Sequence, residues 1–125
     1  MTKRRVLLVD DEVGITRSLS LYLTENSDFE VRVENLGRRA LATAREFRPD
    51  LIVLDLLMPD ADGGSIAADV QADPVLKATP IVFLTALVSK HETQGSSMQI
   101  AGHPFLAKPV DPDAVLEFIE THVRR

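Results

Sequence analysis

Three stretches of the chain are apolar without interruption: Val6-Leu7-Leu8-Val9, Leu51-Ile52-Val53-Leu54 and Ile81-Val82-Phe83-Leu84. Each has the length of a strand, and an unbroken run means that both faces are covered, as in the central strands of a parallel sheet. Helical spacing fills the intervals. Ile15, Leu19, Tyr22 and Leu23 form one stripe of a helix that starts at Glu12 and ends near Asn26-Ser27-Asp28. Residues 29–33 alternate apolar and polar, which predicts a strand with one face partly wet. Gly37 opens a second helix, with Ala40, Leu41, Ala44 and Phe47 inward, Arg38, Arg39, Arg45 and Arg48 on a solvated face, and Pro49 at its close. Residues 56–64 read as loop, punctuated by Pro59, Asp60, Asp62 and Gly63-Gly64, before a short helix carrying Ile66, Ala67 and Val70 that stops at Asp73-Pro74. The pattern weakens between Ala86 and Gly102, where a ragged helix or mobile loop is expected. Phe105-Leu106-Ala107 is a brief last strand. Asp111 then caps a helix with Pro112 in its first turn and Ala114, Val115, Phe118, Ile119 and Val123 toward the core.

A β-α unit repeated five times predicts an α/β fold, a mostly parallel sheet with helices on both faces. Composition agrees with one such unit. The chain has 125 residues, 45% hydrophobic and 26% charged, so residues 1–125 are expected to form a single domain with no output domain attached. Fourteen Lys and Arg against 19 Asp and Glu give a net charge of −5, which provides no electrostatic drive toward nucleic acid. The absence of cysteine excludes disulfides, thiolate chemistry and Cys-ligated zinc. The apolar run after the basic start ends at Asp10, too early for a signal peptide or membrane span. A cytoplasmic protein with no membrane partner and no direct nucleic-acid partner is the expectation.

In open parallel sheets the ligand site lies beyond the carboxyl ends of the strands. There the chain places Asp10-Asp11, Asp55, Thr85 and Lys108-Pro109. Two carboxylates ~4 Å apart repel by ~4 kcal/mol at an effective dielectric near 20, so a positive partner is required. Oxygen-only ligands with room for water and phosphate suit Mg²⁺. A divalent ion, the Lys108 ammonium and a hydroxyl are the equipment for stabilising a transferring phosphoryl group, and an aspartate can be its covalent acceptor.

With those residues in place, the chain resembles the receiver domain of two-component response regulators, the CheY-like family. The markers are Asp10-Asp11, Asp55 followed by Met58-Pro59 and Asp62-Gly63, Thr85-Ala86, and Lys108-Pro109. The resemblance implies a doubly wound (βα)5 flavodoxin-like sandwich whose five-stranded parallel sheet has the order 2-1-3-4-5. It further implies that Asp55 takes a phosphoryl group from a sensor histidine kinase or a His-phosphotransfer protein. Mg²⁺, or Mn²⁺ in its place, would be held by Asp11, Asp55 and the backbone carbonyl of Leu57, with Asp10 acting mainly through water. Thr85 and Lys108 would stabilise the phosphoryl group, Thr85 and Phe105 would form the switch, and Pro109 is the candidate for a cis peptide. The switch would repack the face of the fourth helix, fifth strand and fifth helix to control a downstream protein or an excised output domain, as a monomer or a phosphorylation-dependent dimer. Such a protein is a signalling switch that catalyses its own phosphoryl transfer and dephosphorylation.

Four departures stand out. Phe105 replaces the tyrosine often found there and has no phenolic donor. Leu57 and Leu87, two past Asp55 and Thr85, are apolar, which suggests a hindered hydrolytic water and a long-lived phosphoryl group. Gly102-His103-Pro104 replaces Gly-Ala-Asp. Taken singly, each marker has a plainer reading, a helix cap for Asp10-Asp11, a turn residue for Thr85, core for Phe105; only the constellation lifts them. His91 and His103 lack partners at metal-ligand spacing and read as surface or loop histidines. Competing functions fare worse: a haloacid-dehalogenase-like phosphatase wants an acid where Leu57 stands, a flavodoxin-like FMN binder would be repelled by Asp10-Asp11, and a receiver acting without phosphorylation would not need the full site.

Overall fold

The computed structural model describes residues 3–86, 99–100, 102–109 and 111–123, with the side chains of 99–100 excepted. Three buried parallel strands, β1 (Arg5–Val9), β3 (Leu51–Leu54) and β6 (Ile81–Thr85), coincide with the three apolar runs. Around them lie α1 (Val13–Asn26), β2 (Glu30–Glu34), a 3-10 turn at Gly37–Arg39, α2 (Ala40–Phe47), β4 (Leu57–Met58), β5 (Ala61–Asp62) and α3 (Gly63–Ala72). After β6 come β7 (Gln99–Ile100), β8 (His103–Ala107) and α4 (Pro112–His122). The main sheet runs β2-β1-β3-β6-β8-β7. Its first five strands are parallel and have the expected order 2-1-3-4-5, and the fold class is as expected.

Alternation along each strand divides the core in two. Leu7, Val9, Ile52, Leu54, Ile81 and Phe83 face α2 and α3, whereas Val6, Leu8, Leu51, Val53, Val82 and Leu84 face α1 and α4. Burying each such side chain contributes roughly 1.5–3 kcal/mol, so the sheet is fixed from both sides and its strand ends are rigid supports. β2 is an edge strand with half-buried residues, which is why its sequence alternates.

Several expectations need correction. The second helix begins as a 3-10 turn, because Asp60 accepts the Gly37 and Arg38 N–H groups and draws the chain tight there. The stretch read as loop holds a two-stranded hairpin, β4 with β5. β7 adds an antiparallel sixth strand through Gln99↔Pro104 and Ile100↔His103, in a pair too short to leave a periodic signal. Ala114 is exposed, one position off the Val115–Ile119–Val123 stripe. His103 is buried, its ring edge-on to Phe83 at 5.6 Å, because it lies in β8 on the same buried face as Phe105 and Ala107. The ragged-helix or loop expectation, like those for Leu87 and His91, falls largely outside the described residues.

Candidate functional site

β1 and β3 are adjacent and in register through Val9↔Leu54, so the residues that follow them, Asp10 and Asp55, are forced together at the carboxyl end of the sheet. The Asp55 N–H still bonds the Val9 carbonyl at 2.9 Å, which holds this junction. Asp10 is anchored on the other side: its N–H reaches Glu34 O at 3.2 Å, and Asn35 Nδ2 donates to its carbonyl at 2.7 Å and to Thr16 Oγ1 at 2.9 Å. One carboxylate oxygen from each of Asp10, Asp11 and Asp55 lies within 4.8 Å of the others. Asp10 and Asp55 are both buried and Asp11 half-buried.

Lys108 enters from the far side of the sheet. Its N–H donates to Thr85 O at 2.8 Å, continuing the β6–β8 pairing, and the Lys108–Pro109 peptide is cis. Its ammonium, 9% exposed, stands 2.8 Å from Asp10 Oδ2, 3.0 Å from Glu12 Oε1 and 3.5 Å from Asp55 Oδ2. Thr85 is fully buried at the end of β6. Phe105 pairs in register with Phe83 and its side chain lies in the core below the site. Leu57 turns its side chain to solvent, 58% exposed, while its N–H donates to Asp55 Oδ1 at 3.3 Å.

One ammonium does not balance this cluster. Burial, and then the neighbouring Asp10 charge, push the Asp55 carboxyl from 3.8 up to about 6, against the opposing pull of Lys108 and the Leu57 N–H. For Lys108 burial works downward, but the close carboxylates of Asp10 and Glu12 and the charges of Asp10 and Asp55 outweigh it and raise its pKa, so it stays an ammonium. Asp10 Oδ2 is sealed from water and makes no directed hydrogen bond, although Lys108 is close. A buried carboxylate oxygen with no directed hydrogen bond, beside two further carboxylates and with no nitrogen or sulfur ligand in the trio, fits a hard divalent cation such as Mg²⁺.

Two residues escaped the sequence reading. Glu12, read only as a helix start, reaches Lys108, and Asn35 fixes Asp10. For Glu12 a signal existed in the run of three acids, Asp10-Asp11-Glu12, after a buried strand; Asn35 has none.

Residues 6–120 match the response regulator receiver domain. The chain belongs to that family. Among relatives, it is 31% identical to response regulator Rre1 of Synechocystis over 96% of this chain and 52% of that protein, and 29% identical to the DNA-binding response regulator MtrA of Mycolicibacterium paratuberculosis over 98% and 52%. Among solved structures, Vibrio cholerae chemotaxis protein CheY4 superposes with a TM-score of 0.81 at 31% identity, covering 96% of this chain and 98% of that one. The receiver is a phosphoaccepting switch module of two-component signalling, and receiver domains bind Mg²⁺ at an acidic pocket. The chain spans about half the length of the curated relatives it matches.

That last fact overturns the expectation of no direct nucleic-acid partner. MtrA is DNA-binding, and a net charge of −5 over the receiver region is silent about a partner reached through the half of such a relative that the match leaves uncovered. Among the described residues, no helix is long and apolar enough to cross a membrane.

Proposed function

We propose that Asp55 is the phosphoacceptor, taking a phosphoryl group from a phosphohistidine of a sensor kinase or His-phosphotransfer protein, and that residues 1–125 act as one receiver unit. A carboxylate oxygen of Asp55 attacks phosphorus, forming an acyl-phosphate P–O bond as the P–N bond breaks and the imidazole nitrogen keeps the electron pair and takes up a proton. The observation that carries this reading is the carboxylate trio within 4.8 Å, Asp10 and Asp55 of it buried, with a lysine ammonium 3.5 Å from the acceptor. Asp11, Asp55 and the Leu57 carbonyl would hold Mg²⁺, with Asp10 acting through water. When bound, the ion supplies the positive charge that this cluster lacks and that the incoming phosphoryl oxygens require.

The chain's own residues do the rest. Lys108, 3.5 Å from Asp55 Oδ2, is placed to bind a phosphoryl oxygen, and the Thr85 hydroxyl donates to another. The added charge of about −1.5 to −2 draws Thr85 toward Asp55, and Phe105, behind it in the core, follows. β8 and α4, which carry Phe105 and the helix after Lys108, transmit the change. The exposed Leu57 side chain follows the acceptor by two residues, where a polar residue could guide a hydrolytic water, and a long-lived phosphoryl group is the expected result. Leu57→Asn should shorten its half-life several-fold in a label-loss assay; a short half-life unchanged by that substitution would contradict the role given to Leu57.

The defining test is uptake. Acetyl phosphate or beryllofluoride should modify the protein only with Mg²⁺, and Asp55→Asn should abolish it. Equal uptake by that variant would overturn the assignment. A haloacid-dehalogenase-like phosphatase is disfavoured because the place two past Asp55 is an exposed leucine.

A further inference from the structure

We infer that Glu12 is a positioning residue for Lys108 that restrains phosphorylation, holding the lysine and guarding the mouth of the site against anionic donors. The inference rests on Asp55 being the phosphoacceptor. Glu12 is the N-cap of α1, yet its side chain bonds none of that helix's N–H groups. It reaches across to Lys108 Nζ instead, in a directed hydrogen bond at 3.0 Å. The Asp10 Oδ2 approach is closer, 2.8 Å, but undirected. Asp10 Oδ1 in turn accepts the Glu12 N–H at 2.9 Å, so the acid that anchors the cluster also fixes the residue that competes for its lysine.

Glu12 differs from the other carboxylates around Lys108. Asp10 and Asp55 are sealed, at 5% and 4% side-chain exposure, whereas Glu12 is 56% exposed and lies outside the trio that fits a cation. It is therefore the partner that Lys108 can exchange for a phosphoryl oxygen at least cost. Its charge also counts. With one divalent cation bound, Asp10, Asp11, Glu12, Asp55 and Lys108 still leave one net negative charge, and removing Glu12's charge would leave the site neutral. Every donor arrives as an anion and meets that surplus. An open groove of about 490 Å³ is lined in part by Glu12, Ala86, Lys108 and Pro112, so the Glu12 charge faces open space beside the lysine.

The test compares wild type, Glu12→Gln and Glu12→Asp, with saturating Mg²⁺ and labelled acetyl phosphate, across a series of salt concentrations. An exposed ion pair of this kind sets the scale at ~2–5-fold, so Glu12→Gln should be labelled ~2–5-fold faster and bind beryllofluoride correspondingly more tightly by calorimetry. Salt should accelerate wild type and Glu12→Asp, which keep the charge, more steeply than Glu12→Gln, because screening relieves a repulsion that only they retain. A merely structural Glu12 would not split the variants by salt dependence. Labelling of Glu12→Gln no faster than wild type, or with the same salt slope, would overturn the inference while leaving the acceptor intact. A wild type that takes no label with Mg²⁺ would overturn the acceptor assignment and this inference with it.

Discussion

Asp55 and Asp73 are nearly sealed from water, 3% and 5% exposed, yet they are satisfied to very different degrees. Asp73 ends α3 and receives the Arg45 Nε, the Val75 N–H at 2.8 Å and the Leu76 N–H at 3.3 Å. The Arg45 hydrogen bond foremost, then those N–H groups, hold its carboxyl below the ordinary value. Asp55 receives one long N–H bond and a lysine shared with two other acids, and its carboxyl rises to about 6. The first acid closes a turn and is complete. The second is left wanting positive charge, which is the condition that the proposed role of receiving a cation and a phosphoryl group requires.

The sharpest way to break this contrast is to neutralise each acid in turn. In the metal-free protein Asp55→Asn should stabilise the fold at pH 8 by ~1–3 kcal/mol, the scale set by a two-unit rise in pKa. Asp73→Asn should lower the denaturation midpoint instead. Equal losses from both would erase the distinction. The pH dependence has the same origin. Because Asp55 titrates higher folded than unfolded, its favourable contribution is whole below pH 3.8 and is lost as pH rises through about 6. Asp73 has the reverse sign, its contribution present above 3.8 and lost as pH falls further. Urea melts of metal-free wild type should therefore weaken from pH 4 to 7 by an amount that Asp55→Asn removes and Asp73→Asn leaves in place.

Of these two acids, Mg²⁺ should act on Asp55 alone. At a hundred times its dissociation constant it would stabilise the wild type by ~2.7 kcal/mol, seen as a higher melting temperature, with Asp73→Asn gaining as much and Asp55→Asn much less. Gly63→Ala tests the backbone beneath Asp55. A Cβ there would overlap the Asp55 carbonyl oxygen and sit 2.7 Å from Leu56 Cα, so a loss of ~1–3 kcal/mol with weakened Mg²⁺ binding is expected. At Gly64 a Cβ would meet only the Asp62 side chain at 3.5 Å, and the same substitution should be nearly silent.

The contrast also explains what could be read in advance. Asp10, Asp55, Thr85 and Lys108 were legible because each ends or follows an apolar run, and a parallel sheet places such ends on one rim. Asp73 looked like a helix stop before a proline, since its partner Arg45 is 28 residues away and gives no local sign. Gly63 looked like turn punctuation, although what demands a glycine there is the approach of the Asp55 and Leu56 backbone. His103 was misjudged for a related reason. In the sequence the last strand reads from Phe105, whereas β8 begins at His103, which puts the histidine on the buried face with Phe105 and Ala107 and edge-on to Phe83. Propensity and period report what a residue does to its own segment, whereas these roles come from neighbours distant in sequence.

The central claim is that the under-satisfied carboxylate is the one that reacts. Intact and peptide mass spectra after exposure to acetyl phosphate test it most directly. The account predicts a single added phosphoryl group, located on Asp55, present with Mg²⁺ and absent after chelation or in Asp55→Asn. A phosphoryl group on another residue, or equal addition without the metal, would contradict it.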